Sequence, residues 1–329
     1  MGAALAIVHA RAGMPTALLG TRFDEATIDA CRAGKPHPAL GVALDASIDC
    51  RRHGSWGGVL PNTDRVLFGV SSDGLASVAD EVAQGVVGQR ARARVVWSVA
   101  TKGWDRDTLR TPSEILADVI GTTERVVILG GPALAPELVA GAPTAMVCAS
   151  VNDDVAGQVA DTLRTARVSA SVTDDVAGVE IAAAYKNVTA IAVGMCEGLS
   201  ERRSEAVYIH RFANARAAMF AIGLQDMTRL AQAAGGRQET ILGLAGAGDL
   251  YVTCLGGRNG TFGRLLGAGQ TPAQAQETIG STVEGVVNTE AALRIAERHG
   301  VQLVAARLVE SVLSGRSTPQ EAISGVLVS

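Results

Sequence analysis

Residues 1–24, MGAALAIVHARAGMPTALLGTRFD, decide the fold. Residues 2–13 are mostly small and apolar, with His9 and Arg11 among them, and predict a helix. Residues 15–20, PTALLG, predict a short buried strand, closed by the polar turn Thr21-Arg22-Phe23-Asp24. Helix, strand and polar turn in that order are the second half of a strand–glycine turn–helix–strand unit. That half normally follows a nucleotide-binding loop.

The pattern continues outward. Apolar runs recur at 65–71, 94–101, 125–131, 144–150 and 167–173, with amphipathic stretches between several of them, such as 73–86 and 153–166. Apolar strands spaced by helices imply an α/β fold, a doubly wound parallel sheet covered on both faces. After about residue 174 the strand signals vanish and helices separated by Gly-rich turns take over. The expected organisation is a Rossmann-type domain over 1–173 and an all-helical domain over 174–329. GVEIAAAYKNVTAIAVGMCEGL is apolar nearly all round and predicts a buried central helix. Thr271-Pro272 and Thr318-Pro319 are helix-start signals.

Composition narrows the function classes. At 47% hydrophobic and 19% charged, the 329-residue chain has ample core material. A net charge of −4 without a basic cluster argues against a nucleic-acid partner. The N-terminus lacks the basic first region of a signal peptide. The apolar run nearest in length to a membrane span carries Lys186 in its middle. Five scattered cysteines (31, 50, 148, 196, 254) without a CxxC pair read as small buried side chains in a reducing cytoplasm. The five histidines (9, 37, 53, 210, 299) are dispersed, so no metal is expected.

Of 29 basic residues only Lys35, Lys102 and Lys186 are lysines. Arg replaces Lys readily as a surface charge, but it cannot serve as a proton-transfer group because its pKa stays above about 12. Lys35, in the polar turn AGKPHP, reads as a surface charge, whereas Lys102 and Lys186 sit in apolar surroundings. Lys102 follows a strand, where an open α/β sheet binds ligands; the competing reading is a strand-end surface charge. Lys186 lies inside the apolar helix, and Glu180, its local acidic neighbour, falls on a different face. An unpaired Lys there has the profile of a general acid/base, against the alternative of a side chain snorkelling to the surface. In GGPALAPELVAGAPT (130–144) a glycine turn leads into a helix whose first amides suit an anion, or form a plain strand–helix turn. The glycine-dense stretch 243–269 holds Asp249, Thr253, Arg258 and Asn259. Such density means close approach by a backbone or a ligand, or a flexible linker. Arg258-Asn259 between glycines can offer a guanidinium fork and an amide to phosphate oxygens. Glu284 reads either as a site residue or as the acidic start of a helix.

Seven collinear segments carry a resemblance over essentially the whole chain. They are HPALGV (37–42), ATKG (100–103), GGPALAPELVAGAPT, AAAYKNV, GLAGAGDLYVTC, GGRNGTFGRLLGAG and TVEG (282–285). Together they resemble the soluble bacterial and archaeal NAD(P)-dependent sn-glycerol-3-phosphate dehydrogenases. The resemblance implies interconversion of dihydroxyacetone phosphate and sn-glycerol 3-phosphate, feeding glycerophospholipid synthesis, in a cytoplasmic homodimer with no membrane span. It implies that Lys186 exchanges the proton at the substrate C2 oxygen, Lys102 stabilises that oxygen, and Asp249 positions Lys186. Arg258 and Asn259 would hold the substrate phosphate, with contacts from Gly131 and from Ala133, which stands where many members have Ser or Thr. The cofactor would meet Met1, Gly2, Thr21, Arg22, Lys102, Ala135, Arg258, Thr282 and Glu284. Arg22 after the second strand favours NADP over NAD, with Asp24 keeping NAD open.

By the same resemblance, Met1-Gly2 aligns with the last two positions of G-x-G-x-x-G, and Gly2 is the motif's third glycine. The expectation is a sheet short of its central strand, with that strand and a GxG encoded upstream of an internal Met start. Two other functions stay open: a two-domain dehydrogenase for another small hydroxy or keto acid, and a non-catalytic, decayed paralogue.

Overall fold

The computed structural model describes residues 1–86, 93–202 and 212–328; His210 lies outside them. The chain divides into two units, Met1–Lys102 with Arg110–Val176, and Gly103–Leu109 with Ala177–Ser329. The short segment Gly103–Leu109 joins the helical unit because Trp104 and Leu109 are buried in its core.

In the first unit, α1 (Gly2–Arg11) leads to β1 (Thr16–Leu19), and α2 (Glu25–Arg32) to β2 (Ile48–Arg51). Then follow β3 (Arg65–Phe68), α3 (Ser72–Gly85), β4 (Val96–Val99), α4 (Pro112–Ile120) and β5 (Val126–Gly130). The unit closes with α5 (Ala135–Ala140), β6 (Thr144–Ala149), α6 (Asp153–Leu163) and β7 (Val168–Thr173). Every residue of β4 and β5 is buried, as expected of strands covered on both faces. β2 is not apparent in the sequence, because Ile48 is its one buried residue.

The strands form a parallel pair β1–β2 and a sheet in the order β3-β4-β5-β6-β7. One expectation is corrected: β6 runs antiparallel to β5, while the other pairs are parallel. The six-residue α5 rises only about 9 Å, too little to carry the chain back along β5 for a parallel crossover. Between β1 and β3, which do not pair, lies a cavity of about 440 Å³ lined by Leu18, Leu19, Val66 and Leu67. The chain leaving β3 touches the start of α1 so closely that a Cβ on Gly69 would stand 2.4 Å from the Gly2 nitrogen.

In the second unit, α7 (Val176–Glu201) is the central helix, followed by α8 (Ala213–Ala233) and α9 (Gln238–Leu242). A π-helical turn, Leu244–Gly248, leads to α10 (Asp249–Cys254) and α11 (Arg258–Gly267). The unit ends with α12 (Pro272–Ile279), α13 (Glu284–Arg298), α14 (Val304–Leu313) and α15 (Pro319–Leu327). Thr271 and Thr318 open α12 and α15 with full capping boxes. By length and composition α7 is able to cross a membrane, yet 89% of its most apolar window is buried within the protein. It is a core helix, and its small residues let α11 lie directly on it. A Cβ on Gly263 would stand 2.1 Å from the Ile191 carbonyl oxygen, and one on Gly194 would stand 2.2 Å from that of Gly260. For this part of 243–269, the close approach is by backbone.

The five cysteines are free and buried or half-buried. Burial pushes the thiols of Cys148, Cys196 and Cys254 up to about 12, so they are poor nucleophiles.

Candidate active site

Lys186 sits midway along α7, 7% exposed, and its Nζ donates to Asp249 Oδ1 at 2.6 Å. The unpaired lysine inferred from local sequence is therefore corrected. Its partner comes from 63 positions away, and Asp249 itself is 1% exposed. The π-turn sets this meeting. It folds back on α9 so tightly that a Cβ on Gly246 would lie 2.0 Å from the Ile241 carbonyl oxygen, and Asp249 follows as the first residue of α10. Such turns frequently mark functional sites. Thr253 Oγ1 donates to the Asp249 carbonyl at 2.6 Å and steadies the turn.

On the other side of Lys186, Tyr185 donates its hydroxyl proton to Asp226 Oδ2 at 2.7 Å, and the Ala305 amide donates to the same oxygen at 2.7 Å. This knot ties α7 to α8 and α14, fixing the rotation of α7 on which the Lys186 direction depends. Burial raises the pKa of both the Tyr185 hydroxyl and the Asp226 carboxyl.

Asn187, the next residue, was not singled out from sequence. Its Oδ1 accepts from Asn259 Nδ2 at 2.9 Å, while its own Nδ2 is buried with no partner among the described residues. An orphaned buried donor costs about 1–3 kcal/mol and calls for an acceptor from outside the chain. No local pattern signals it, because Asn in a helix is usually solvated or capping.

Asn259 is less free than the sequence reading holds. Its Oδ1 accepts from the Gly285 amide at 2.8 Å, so the side chain bridges α11, α7 and α13. One amide hydrogen remains to it. Arg258 stands exposed at the start of α11, whose N-cap Gly257 has φ +89 and whose first amides have no side-chain cap. Glu284 is half-buried at the first position of α13, where an acid suits the helix start, and Thr282 is exposed just before it.

In the first unit, Lys102 follows β4, half-buried, and its Nζ donates to the Gly131 carbonyl at 3.4 Å. The structure thus brings Lys102 to the glycine turn after β5. Gly131 has φ +91, and a Cβ there would press on the Ala145 carbonyl at 3.1 Å. Ala133 is buried and brings no polar side-chain group; Ala135 begins α5 half-buried. Pro136 lacks an N–H, so the anion-binding reading of this helix start loses one donor.

Met1 and Gly2 open α1, which has no side-chain cap and no acid in its first turn. After β1, Thr21 donates its amide and hydroxyl to Asp24 Oδ1 at 2.6 and 3.0 Å. Arg22 is half-exposed and bonds Glu81 and Ser77 on α3.

Comparisons with known proteins place these features in a family. A family model described as NAD-dependent glycerol-3-phosphate dehydrogenase N-terminus matches residues 1–156, and its C-terminus counterpart matches 175–324. A glycerol-3-phosphate dehydrogenase [NAD(P)+] of Stenotrophomonas maltophilia is 34% identical over 99% of this chain and 91% of its own length. One from Hydrogenovibrio crunogenus is 33% identical over 99% of this chain and 92% of its own length. A crystal structure of glycerol-3-phosphate dehydrogenase from Coxiella burnetii superposes with a TM-score of 0.85 at 30% identity, covering 99% of this chain and 96% of that one.

Proposed function

The chain belongs to the NAD-dependent glycerol-3-phosphate dehydrogenase family, and from that premise we propose that it interconverts dihydroxyacetone phosphate and sn-glycerol 3-phosphate. The observation that carries the reading is the buried Lys186–Asp249 pair beside the orphaned Asn187 amide.

The nicotinamide of a bound NAD(P)H supplies the hydride. The residues present fit such a dinucleotide. The start of α1 has no side-chain cap and no acid in its first turn, as suits the N-terminus of a helix that receives an anion. The family resemblance supports Met1, Gly2, Thr21, Arg22, Ala135, Arg258, Thr282 and Glu284 as cofactor contacts. Lys102 joins cofactor and substrate.

Lys186 Nζ gives its proton to the C2 oxygen during reduction and takes it back during oxidation. The Asp249 carboxylate, 2.6 Å from Nζ, holds the Lys186 side chain in place. The Lys102 ammonium stabilises the negative charge that grows on the same oxygen. Arg258 and the uncapped first turn of α11 take the phosphate, with Asn259 contributing its remaining N–H. Asn187 Nδ2 gains in the substrate the acceptor it lacks. Gly131 and Ala133 shape the turn beneath, and Ala133 makes that contact apolar. The family resemblance supports a cytoplasmic homodimer serving glycerophospholipid synthesis.

The test is NADPH and NADH oxidation with dihydroxyacetone phosphate, and with a non-phosphorylated keto acid as the contrast. Lys186→Ala is expected to abolish turnover and leave cofactor binding nearly intact. Turnover confined to the keto acid, or an active Lys186→Ala variant, refutes the assignment.

A further inference from the structure

Tyr185, Lys186 and Asn187 are consecutive on α7, and each is bonded to a different helix. Tyr185 Oη donates to Asp226 Oδ2 on α8 at 2.7 Å, and Lys186 Nζ donates to Asp249 Oδ1 on α10 at 2.6 Å. Asn187 Oδ1 accepts from Asn259 on α11 at 2.9 Å. Successive residues of a helix stand about 100° apart, so the three bonds leave α7 in three directions. Lys186 and Asn187 belong to the proposed site. Tyr185 is 0% exposed and so out of reach of substrate and cofactor.

Burying a phenol and a carboxyl group together is costly unless both are fully bonded, and here they are. The Tyr185 oxygen accepts from the Ala306 amide at 3.2 Å, and Asp226 Oδ2 accepts from the Ala305 amide at 2.7 Å. Asp226 Oδ1 accepts from Arg229 Nη1 at 3.1 Å. The start of α14 is thereby capped from outside, since Leu303 at its N-cap brings no acceptor of its own. A cap for α14 needs only the Asp226 carboxyl group. The Tyr185 hydroxyl adds a tie from that cap to the residue next to Lys186, and an apolar ring would fill the same volume without making it.

We propose that Tyr185 and Asp226 are positioning residues for Lys186, which set the rate of proton transfer through the rotation of α7 and leave substrate and cofactor affinity alone. This rests on the dehydrogenase reading for the role of Lys186 and adds to it two residues that touch no ligand. Lys186 Nζ stands roughly 8 Å from the helix axis, the Cα radius of about 2.3 Å plus an extended side chain, and Tyr185 Oη stands at a similar radius. A hydrogen bond that tolerates about 0.5 Å at that radius confines the rotation of α7 to about 3°. Nζ then stays within about 0.5 Å of its place, the tolerance of a productive geometry. A rotation of about 10° would carry Nζ through about 1.4 Å, and a misplacement of about 1 Å can cost roughly 100-fold in rate. Phosphate binding is spared, because Arg258 is carried by α11.

The experiment measures turnover of NADPH and NADH with dihydroxyacetone phosphate, together with cofactor-binding stoichiometry. It uses the full chain and its Tyr185→Phe, Asp226→Ala, Asp226→Asn and Arg229→Ala variants, each well below its Tm. Tyr185→Phe is expected to lower kcat per bound cofactor about tenfold or more, with KM and the cofactor dissociation constants within about twofold of wild type. Asp226→Ala should fall at least as far. Asp226→Asn, whose amide oxygen still accepts from Tyr185 and Ala305, should recover most of that loss. Arg229→Ala should stay within about twofold, because its side chain is 47% exposed and meets the other carboxyl oxygen. A loss of binding sites with kcat per site unchanged is what a merely structural tie gives, and it would overturn the proposal. The three lysines allow a second readout that needs no turnover. Lysine labelled at Cε gives one NMR signal for each, and Lys186→Ala identifies that of Lys186. Tyr185→Phe should shift this signal by more than its linewidth and leave that of Lys35 in place; an unmoved Lys186 signal would also overturn the proposal. The dehydrogenase reading fails on a different result, the absence of wild-type turnover with dihydroxyacetone phosphate on either cofactor.

Discussion

Removing one member of the buried Lys186–Asp249 pair should cost far more stability than removing both. At 2.6 Å and an effective dielectric of about 20, two opposite unit charges attract by roughly 6 kcal/mol. Desolvating two ions costs several kcal/mol each, so the attraction and the desolvation nearly cancel and the pair adds little net stability. Asp249→Leu leaves the ammonium buried without that carboxylate, at an expected cost of about 3–5 kcal/mol. For a helical unit of this size that is a fall in Tm of about 6–20 °C. Lys186→Met with Asp249→Leu replaces the pair by apolar side chains, and is expected within about 1 kcal/mol of wild type or above it. The assay is denaturant unfolding followed by far-UV circular dichroism, run on both single variants and the double, with turnover recorded alongside. The expected pattern is two unstable singles and a stable double, none of them active. That result means the pair is kept for chemistry. A single Asp249→Leu variant as stable as wild type would refute the reasoning, because the ammonium would then be solvated.

Three further outcomes are expected. Arg258→Ala should raise KM for dihydroxyacetone phosphate at least about tenfold with Tm unchanged, since the guanidinium is exposed; an unchanged KM removes it from the phosphate site. Gly263→Ala should destabilise the helical unit by about 2–3 kcal/mol, because its Cβ would stand 2.1 Å from the Ile191 carbonyl oxygen. Gly325→Ala, with open space around it, should stabilise by about 0.5–1 kcal/mol, and equal effects at both positions would deny the close helix contact.

The layout of the fold is legible in single-sequence patterns because burial leaves a local period. Apolar runs such as VVIL and VVWSV mark strands covered on both faces, and the Thr-Pro starts of α12 and α15 are capping signals contained within four residues. The rarity of lysine and the apolar surroundings of Lys102 and Lys186 mark both, because lysine, unlike arginine, offers a tunable proton. β2 escapes because IDCR buries only Ile48 and so has no alternating face to read.

Partners are another matter, since they join residues far apart in the chain. Asp249 reaches Lys186 because a π-turn and a bare Gly246 aim it there, and Asn187 Nδ2 lacks an acceptor while the Asn259 oxygen takes the Gly285 amide. Arg22 looks like a free cation in sequence, yet tertiary packing sets it against Glu81 from α3 and turns Asp24 inward. The reversal of β6 follows from the short reach of α5, and the glycines of α11 meet a backbone because α7 lies against them. Sequence alone determined which residues are buried and which chemistry is available, through local periodicity and residue type. Which charge meets which, and which donor is left open for a ligand, was decided only by how the helices and strands pack.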